Sequence, residues 1–339
     1  MAALTCVDCA KITESSYISR FGRCAFGGYD ELSGGSGDRQ AGDDMSAPRA
    51  PFRFGVVLVS EACSRAEWVA KCRRAEELDY DVVSACEHVN LPSPFPSVIL
   101  AAEATERPRI GIYVLNTSFH NPTLLARDVV TVDQFVEGRL ELGLGTGYVE
   151  WEFQKTGIPF GTPGSRVDRL ETTIGELQRL LSDPEHPKSV QRPHPPILVG
   201  GHGDRVLRLA ARNAEIISFV GAQYRPEYGR MVIAPAEEMV ERAEFARRAA
   251  GSRADEIEYN ILSKATVITK DRRSALDQVR RFAPHLDDEQ ILAAPTVSIG
   301  TPRQIAEQLR ENREVYGINY ITVMEPAMEA FGKVIEAMR

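Results

Sequence analysis

From residue 52 onward the chain alternates short apolar runs with longer segments whose apolar residues recur every three or four positions. The short runs read as strands: Phe52 to Leu58, Asp81 to Cys86, Ile110 to Leu115, Arg139 to Gly145, 196–199, 216–220, 258–268 and Tyr320 to Val323. The segments between them read as helices. Ser64 and Glu67 form a capping box, and Val69, Cys72, Ala75 and Leu78 follow at helical spacing. A second helix is predicted over 96–105. Asn121 caps a third, with Pro122 in its first turn and Gly138 at its end. Val167, Leu170, Ile174, Leu177 and Leu181 line one face of a longer one. Others are predicted over 204–213, near 237–250 and from Thr301-Pro302. The stretch 271–298 reads as a helix and an insertion.

Eight such units fit a closed (β/α)₈ TIM barrel. An open, doubly wound sheet explains most of the same periodicity, so the pattern alone leaves both open. Residues 1–50 lack that periodicity and carry a Gly-Ser stretch at 33–37, so they read as a disordered N-terminal extension before a body at 51–339. Met45 is an alternative start. Cys6 and Cys9, with Cys24 downstream, have no fourth ligand in the segment, and no metal is expected.

Composition narrows the function. A net charge of −8 argues against a nucleic-acid binder, which would carry a basic stripe. No apolar run reaches the roughly 18 residues of a membrane span. Six cysteines in 339 residues do not read as a disulfide framework. Cys63, Cys72 and Cys86 fit buried thiols, and a cytoplasmic location is expected.

In a parallel barrel the chemistry gathers where the strands end. The fourth strand ends in Gly143-Leu144-Gly145-Thr146-Gly147-Tyr148, which is either a tight turn or a place where backbone and a Thr hydroxyl approach a phosphate. The fifth ends in Gly200-Gly201-His202-Gly203-Asp204-Arg205 and enters a helix at once. Exposed N–H groups at a helix start bind anions, Arg205 would add charge, and Asp204 is the alternative cap. A side chain at Gly201 is expected to displace such an anion. The second strand ends in Cys86-Glu87-His88, which puts an imidazole where it could move a proton or simply pack beneath a loop. His120, His186, His194 and His285 sit at less telling positions. There is no His-Glu-x-x-His and no Gly-x-Ser-x-Gly elbow.

Together these segments resemble the luciferase-like monooxygenase family, in particular its coenzyme F420-dependent oxidoreductase branch. The resemblance runs from about Phe52 to the end. It is strongest from Gly138 to Tyr148, continuing through Glu150, Glu152, Phe153 and Gly157-Ile158-Pro159-Phe160. It returns at Pro195 to Gly201, at Arg205 with Ala210-Ala211-Arg212, and at Gly300-Thr301-Pro302 with Ile305-Ala306-Glu307 and Leu309. The resemblance implies the barrel, with a flavin or deazaflavin ring in its mouth. It implies a cofactor phosphate between the ends of strands four and five, at Gly145, Thr146, Gly147, Tyr148, Gly200, Gly201, His202 and Arg205. It also implies a non-prolyl cis peptide behind the ring at Leu115-Asn116-Thr117, and His88 as the catalytic residue. The sequence departs from some deazaflavin dehydrogenases at Pro92, where they carry Trp, and at Tyr148, where they carry Glu.

The leading expectation is hydride transfer between F420 and a small organic substrate, the protein holding the ring against it. The alternatives are an FMNH2-dependent monooxygenase fed by a separate reductase, and a flavin-binding protein without turnover. The expected partners are a small-molecule substrate and a second copy in a homodimer, with no nucleic acid and no membrane.

Overall fold

The computed structural model describes residues 51–60 and 64–339. The extension 1–50, with its cysteines and Met45, and the thiol of Cys63 lie outside the described residues. Twelve strands are formed by the described residues: β1 Arg53–Leu58, β2 Val82–Ala85, β3 Arg109–Asn116, β4 Leu140–Gly145, β5 Ile197–Gly201, β6 Ile216–Phe219, β7 Ala222–Arg225, β8 Arg230–Ile233, β9 Glu258–Ser263, β10 Ala265–Ile268, β11 Val297–Gly300 and β12 Tyr320–Met324. Eight of them close a parallel barrel in the order β1-β2-β3-β4-β5-β6-β9-β12, which excludes the open sheet.

The helices are α1 Arg65–Glu77, α2 Pro94–Ala104, α3 Pro122–Phe135, α4 Glu150–Thr156, α5 Pro163–Ser182, α6 Asp204–Asn213, α7 Ala236–Ala250, α8 Leu276–Arg280, α9 Asp288–Ala293, α10 Pro302–Tyr316 and α11 Met328–Met338. Parallel strands are covered on both faces, which is why β2 and β4 are buried at every position and read as unbroken runs rather than alternations. Ser64, Asn121 and Thr301 accept backbone N–H groups of their helices, the first and last within capping boxes. Cys72 and Cys86 are buried thiols.

The second half differs from the sequence reading in two places. The run 258–268 divides at Lys264, whose N–H donates to Thr296 O at 2.7 Å. Only β9 stays in the barrel. β10 leaves it to pair with β11, and with α8 and α9 it encloses a satellite core of Leu276, Val279, Leu286, Ile291, Val297 and Ile299. Between β6 and α7 the chain inserts the antiparallel hairpin β7–β8. A four-residue alternation is a weak signal beside the strong helix that follows it.

The amino-terminal end of the barrel is closed by charge. Arg53 pairs with Glu141 and with Glu258 (2.5 Å), Arg109 donates to Glu141 at 2.7 Å, and Arg53 lies 4.6 Å from the Tyr320 ring centroid. Burial opposes the Arg53 charge, but Glu141, Tyr320 and Glu258 more than offset it, and its pKa rises. Burial also raises the pKa of Glu258, helped by Glu141 and resisted by Arg53.

Candidate functional site

The opposite end, where all eight strands finish, is the mouth. β3 deforms as it arrives there: its register against β4 shifts between Ile112 and Leu115, and the Tyr113–Val114 peptide is cis. The non-prolyl cis bond therefore lies inside the bulge and not at Leu115-Asn116-Thr117. Leu115 and Thr117 are fully buried, Leu115 in the main core and Thr117 donating to Gly145 O at 3.1 Å. Neither presents a side chain to the mouth. The half-buried members of the bulge are Tyr113 and Val114.

That bulge explains the glycines of strand four. A Cβ on Gly143 would overlap Ile112 O, and one on Gly145 would lie 2.7 Å from Val114 Cγ2. Gly147, at φ +69°, would strike the Asn116 amide. The glycine run thus makes room for β3. Asn116 accepts Ser118 N–H through Oδ1 at 3.1 Å, while its buried Nδ2 has no partner. Below the mouth the Tyr113 hydroxyl meets Ser218 Oγ at 2.5 Å and donates to Asn260 Oδ1 at 3.1 Å, and Asn260 Nδ2 donates to Thr322. Burial pushes the Tyr113 phenol well above its usual pKa, so it remains a neutral donor.

The two residues after β2 and its Cys86 turn to different partners. Glu87 accepts the Asn116 N–H at 2.7 Å and meets His120 Nε2 at 2.8 Å, fixing the end of the bulge. His88 Nδ1 lies 2.9 Å from Glu152 Oε1, which also accepts Val89 N–H at 3.1 Å. Glu152 sits in α4 and is only 3% exposed. Tyr148 is 61% exposed and stands edge-on to His88, centroids 6.4 Å apart. A carboxylate on Nδ1 fixes the tautomer and steadies an imidazolium, leaving Nε2 for a substrate proton. No hydrogen bond engages Nε2 among the described residues.

At the end of β5 the placements divide. Gly200 is half-buried, with Val114 Cγ1 3.8 Å from where its Cβ would be. Gly201 is a glycine for another reason than the one expected. A Cβ there would overlap Val206 of α6, 2.9 Å from its Cβ, so the position is fixed by its own helix. The cap of α6 is Gly203, not Asp204, and no side chain bonds its first turn. Asp204 instead pairs with Arg242. Arg205 is exposed and bound to Asp168, Glu171 and the Gly164 carbonyl, so its charge is already balanced. His202 points to Glu238, 2.5 Å away.

The cation beside strand four's turn is Arg166, which the sequence did not single out. Its Nε donates to Gly147 O at 3.1 Å, Nη1 donates to Phe160 O at 3.3 Å, and the guanidinium lies 4.0 Å from the Phe160 ring centroid. Burial lowers its pKa, with Glu150 opposing. Thr146, Gly147, Gly200 and the open first turn of α6, with the orphaned Asn116 amide, form a donor set that fits a phosphate and a polar ring edge.

The model of the luciferase-like monooxygenase family matches residues 49–319. The chain belongs to this family. Its members are oxidoreductases that include F420-dependent dehydrogenases and FMNH2-dependent monooxygenases. One relative, the F420-dependent glucose-6-phosphate dehydrogenase of Intrasporangium calvum, is 26% identical over 81% of this chain and 93% of its own. Another, the FMNH2-dependent dimethylsulfone monooxygenase of Pseudomonas putida, is 29% identical over 32% of this chain and 34% of its own. In fold, the F420-dependent tetrahydromethanopterin reductase of Methanopyrus kandleri superposes with a TM-score of 0.65 at 18% identity, covering 86% of this chain and all of that one. No helix among the described residues is long and apolar enough to cross a membrane.

Proposed function

We propose that this luciferase-like oxidoreductase binds coenzyme F420 at the barrel mouth and moves a hydride between it and a small organic substrate. The observation that carries the reading is the His88–Glu152 pair standing beside a donor set with open valences. The phosphate would rest on the first turn of α6 and on Thr146 and Gly147, with Arg166 as the neighbouring cation. The deazaflavin supplies the hydride acceptor or donor. His88 Nε2 takes or gives the substrate proton, and Glu152 stabilises the imidazolium that results. Glu87 holds Asn116, and through it the end of the bulge. Tyr113 and Val114 form the surface against which a ring would lie.

FMN is the second reading, with a separate reductase as partner. It is favoured by the local match to an FMNH2-dependent monooxygenase and by a phosphate site that serves both cofactors. Titrating the protein separately with F420, FMN and riboflavin distinguishes the two and tests the cradle. The informative variant is Gly203→Asp. Gly203 has extended backbone, and a Cβ there meets nothing within 4 Å, so aspartate is accommodated and caps α6. Its carboxylate takes the N–H groups meant for phosphate. Thermal stability should hold or rise while F420 and FMN bind roughly tenfold to a hundredfold more weakly, and riboflavin binding should not change. Equal losses for riboflavin and FMN would place the phosphate elsewhere.

A further inference from the structure

The hairpin β7–β8 begins at Ala222, just after β6 ends, and so stands at the mouth beside His202. Its two strands place Arg225 directly opposite Arg230. Side chains opposite each other in an antiparallel pair lie on one face, and like charges there repel. Tyr224 and Met231 lie on the other face and are themselves exposed. Arg230 has no hydrogen bond or ion pair through its side chain among the described residues. Arg225 reaches Glu227 and Glu238 only at 3.8 Å. Glu238 already receives His202 and the Gln223 amide, the latter at 2.8 Å.

Around this pair the structure leaves buried nitrogens without partners: Arg225 Nε, Arg230 Nε, His202 Nδ1, and both Nδ1 and Nε2 of His285. His285 lies against the Tyr228 ring, centroids 5.9 Å apart. Leaving a buried polar atom unpartnered is costly, so a group of them beside one hairpin needs a reason. Four of the five belong to Arg225, Arg230 and His285, and an arginine fork suits a carboxylate or phosphate. We infer that Arg225, Arg230 and His285 form an anion subsite that holds a carboxylate or phosphate group of the substrate. That the ligand is the substrate rests on the proposed hydride transfer; the subsite itself does not.

Inorganic phosphate is the probe. The full chain carrying Gly203→Asp, whose cofactor cradle is blocked, is titrated with phosphate while the histidine ring signals are followed by NMR. The His285 signal, assigned from its loss in His285→Gln, should move with a millimolar midpoint. Adding Arg230→Gln should weaken that midpoint about tenfold or more. Should Arg230→Gln fail to fold, Arg225→Gln in the same background gives the same comparison. An unmoved His285 signal, or a midpoint indifferent to both arginines, overturns the subsite. Flavin binding by the parent protein reports separately: its loss with an intact His285 response would sink the cofactor reading alone.

Discussion

The two ends of this barrel are built from the same kinds of residue and treat them in opposite ways. At the amino-terminal end Arg53, Arg109, Glu141 and Glu258 meet carboxylate to guanidinium, and Tyr320 covers the cation. At the mouth three carboxylates are turned toward a histidine or a backbone N–H: Glu152 to His88, Glu87 to His120 and Asn116, Glu238 to His202. Two of the mouth's cations, Arg166 and Arg230, are left with carbonyls or with nothing. Charge that is neutralised in place serves the fold. Charge and donors left with open valences suit the recognition of something from solution.

The sharpest way to break this contrast is Glu141→Ala. It takes from Arg53 one of its two carboxylates and from Arg109 its carboxylate partner, and removing one partner of a buried pair costs about 3–5 kcal/mol. Urea unfolding should show that loss, while cofactor affinity in the folded fraction stays unchanged. A stable Glu141→Ala protein would mean that the floor is not held by its ion network.

At the mouth the effects should appear in turnover and not in stability. His88→Ala should slow hydride transfer about 10²-fold with cofactor affinity and melting temperature little changed. An unaltered rate would return His88 to a packing role. Glu152→Gln keeps the size and an acceptor for Val89 N–H but removes the charge that steadies the imidazolium. A smaller loss of about tenfold is expected, with cofactor affinity and melting temperature little changed. A rate that does not change would show that Glu152 only braces the loop.

The smallest effect belongs to neither end. On the outer surface Arg74 hydrogen-bonds Glu329 and lowers its pKa from the ordinary 4.5. A carboxylate depressed in the folded state adds stability that is present above its unfolded value and is lost as the pH falls through the folded one. Glu329 is exposed, so screening limits Glu329→Gln to about 0.5 kcal/mol near neutral pH, and the difference should vanish in acid. A larger loss in thermal melts would place this surface pair in the class of the floor network.

The periodicity of the chain determined the eight strand-and-helix units, because parallel strands covered on both faces leave continuous apolar runs and helices leave three-to-four spacing. Local chemistry likewise determined the caps at Ser64, Asn121 and Thr301. His88 was visible as a polar residue at a strand end. Its partner Glu152 was not, because nothing local ties a carboxylate in α4 to an imidazole 64 positions earlier. Only the closed barrel brings them together. Tertiary structure also decided what the glycines are for. Gly143, Gly145 and Gly147 accommodate Ile112, Val114 and Asn116, and Gly201 accommodates Val206, whereas sequence shows only that a side chain is absent. The hairpin and the division of 258–268 at Lys264 were settled in the same way. Short strands carry little periodic signal, and which partner a strand chooses depends on edges that exist only after the barrel has closed.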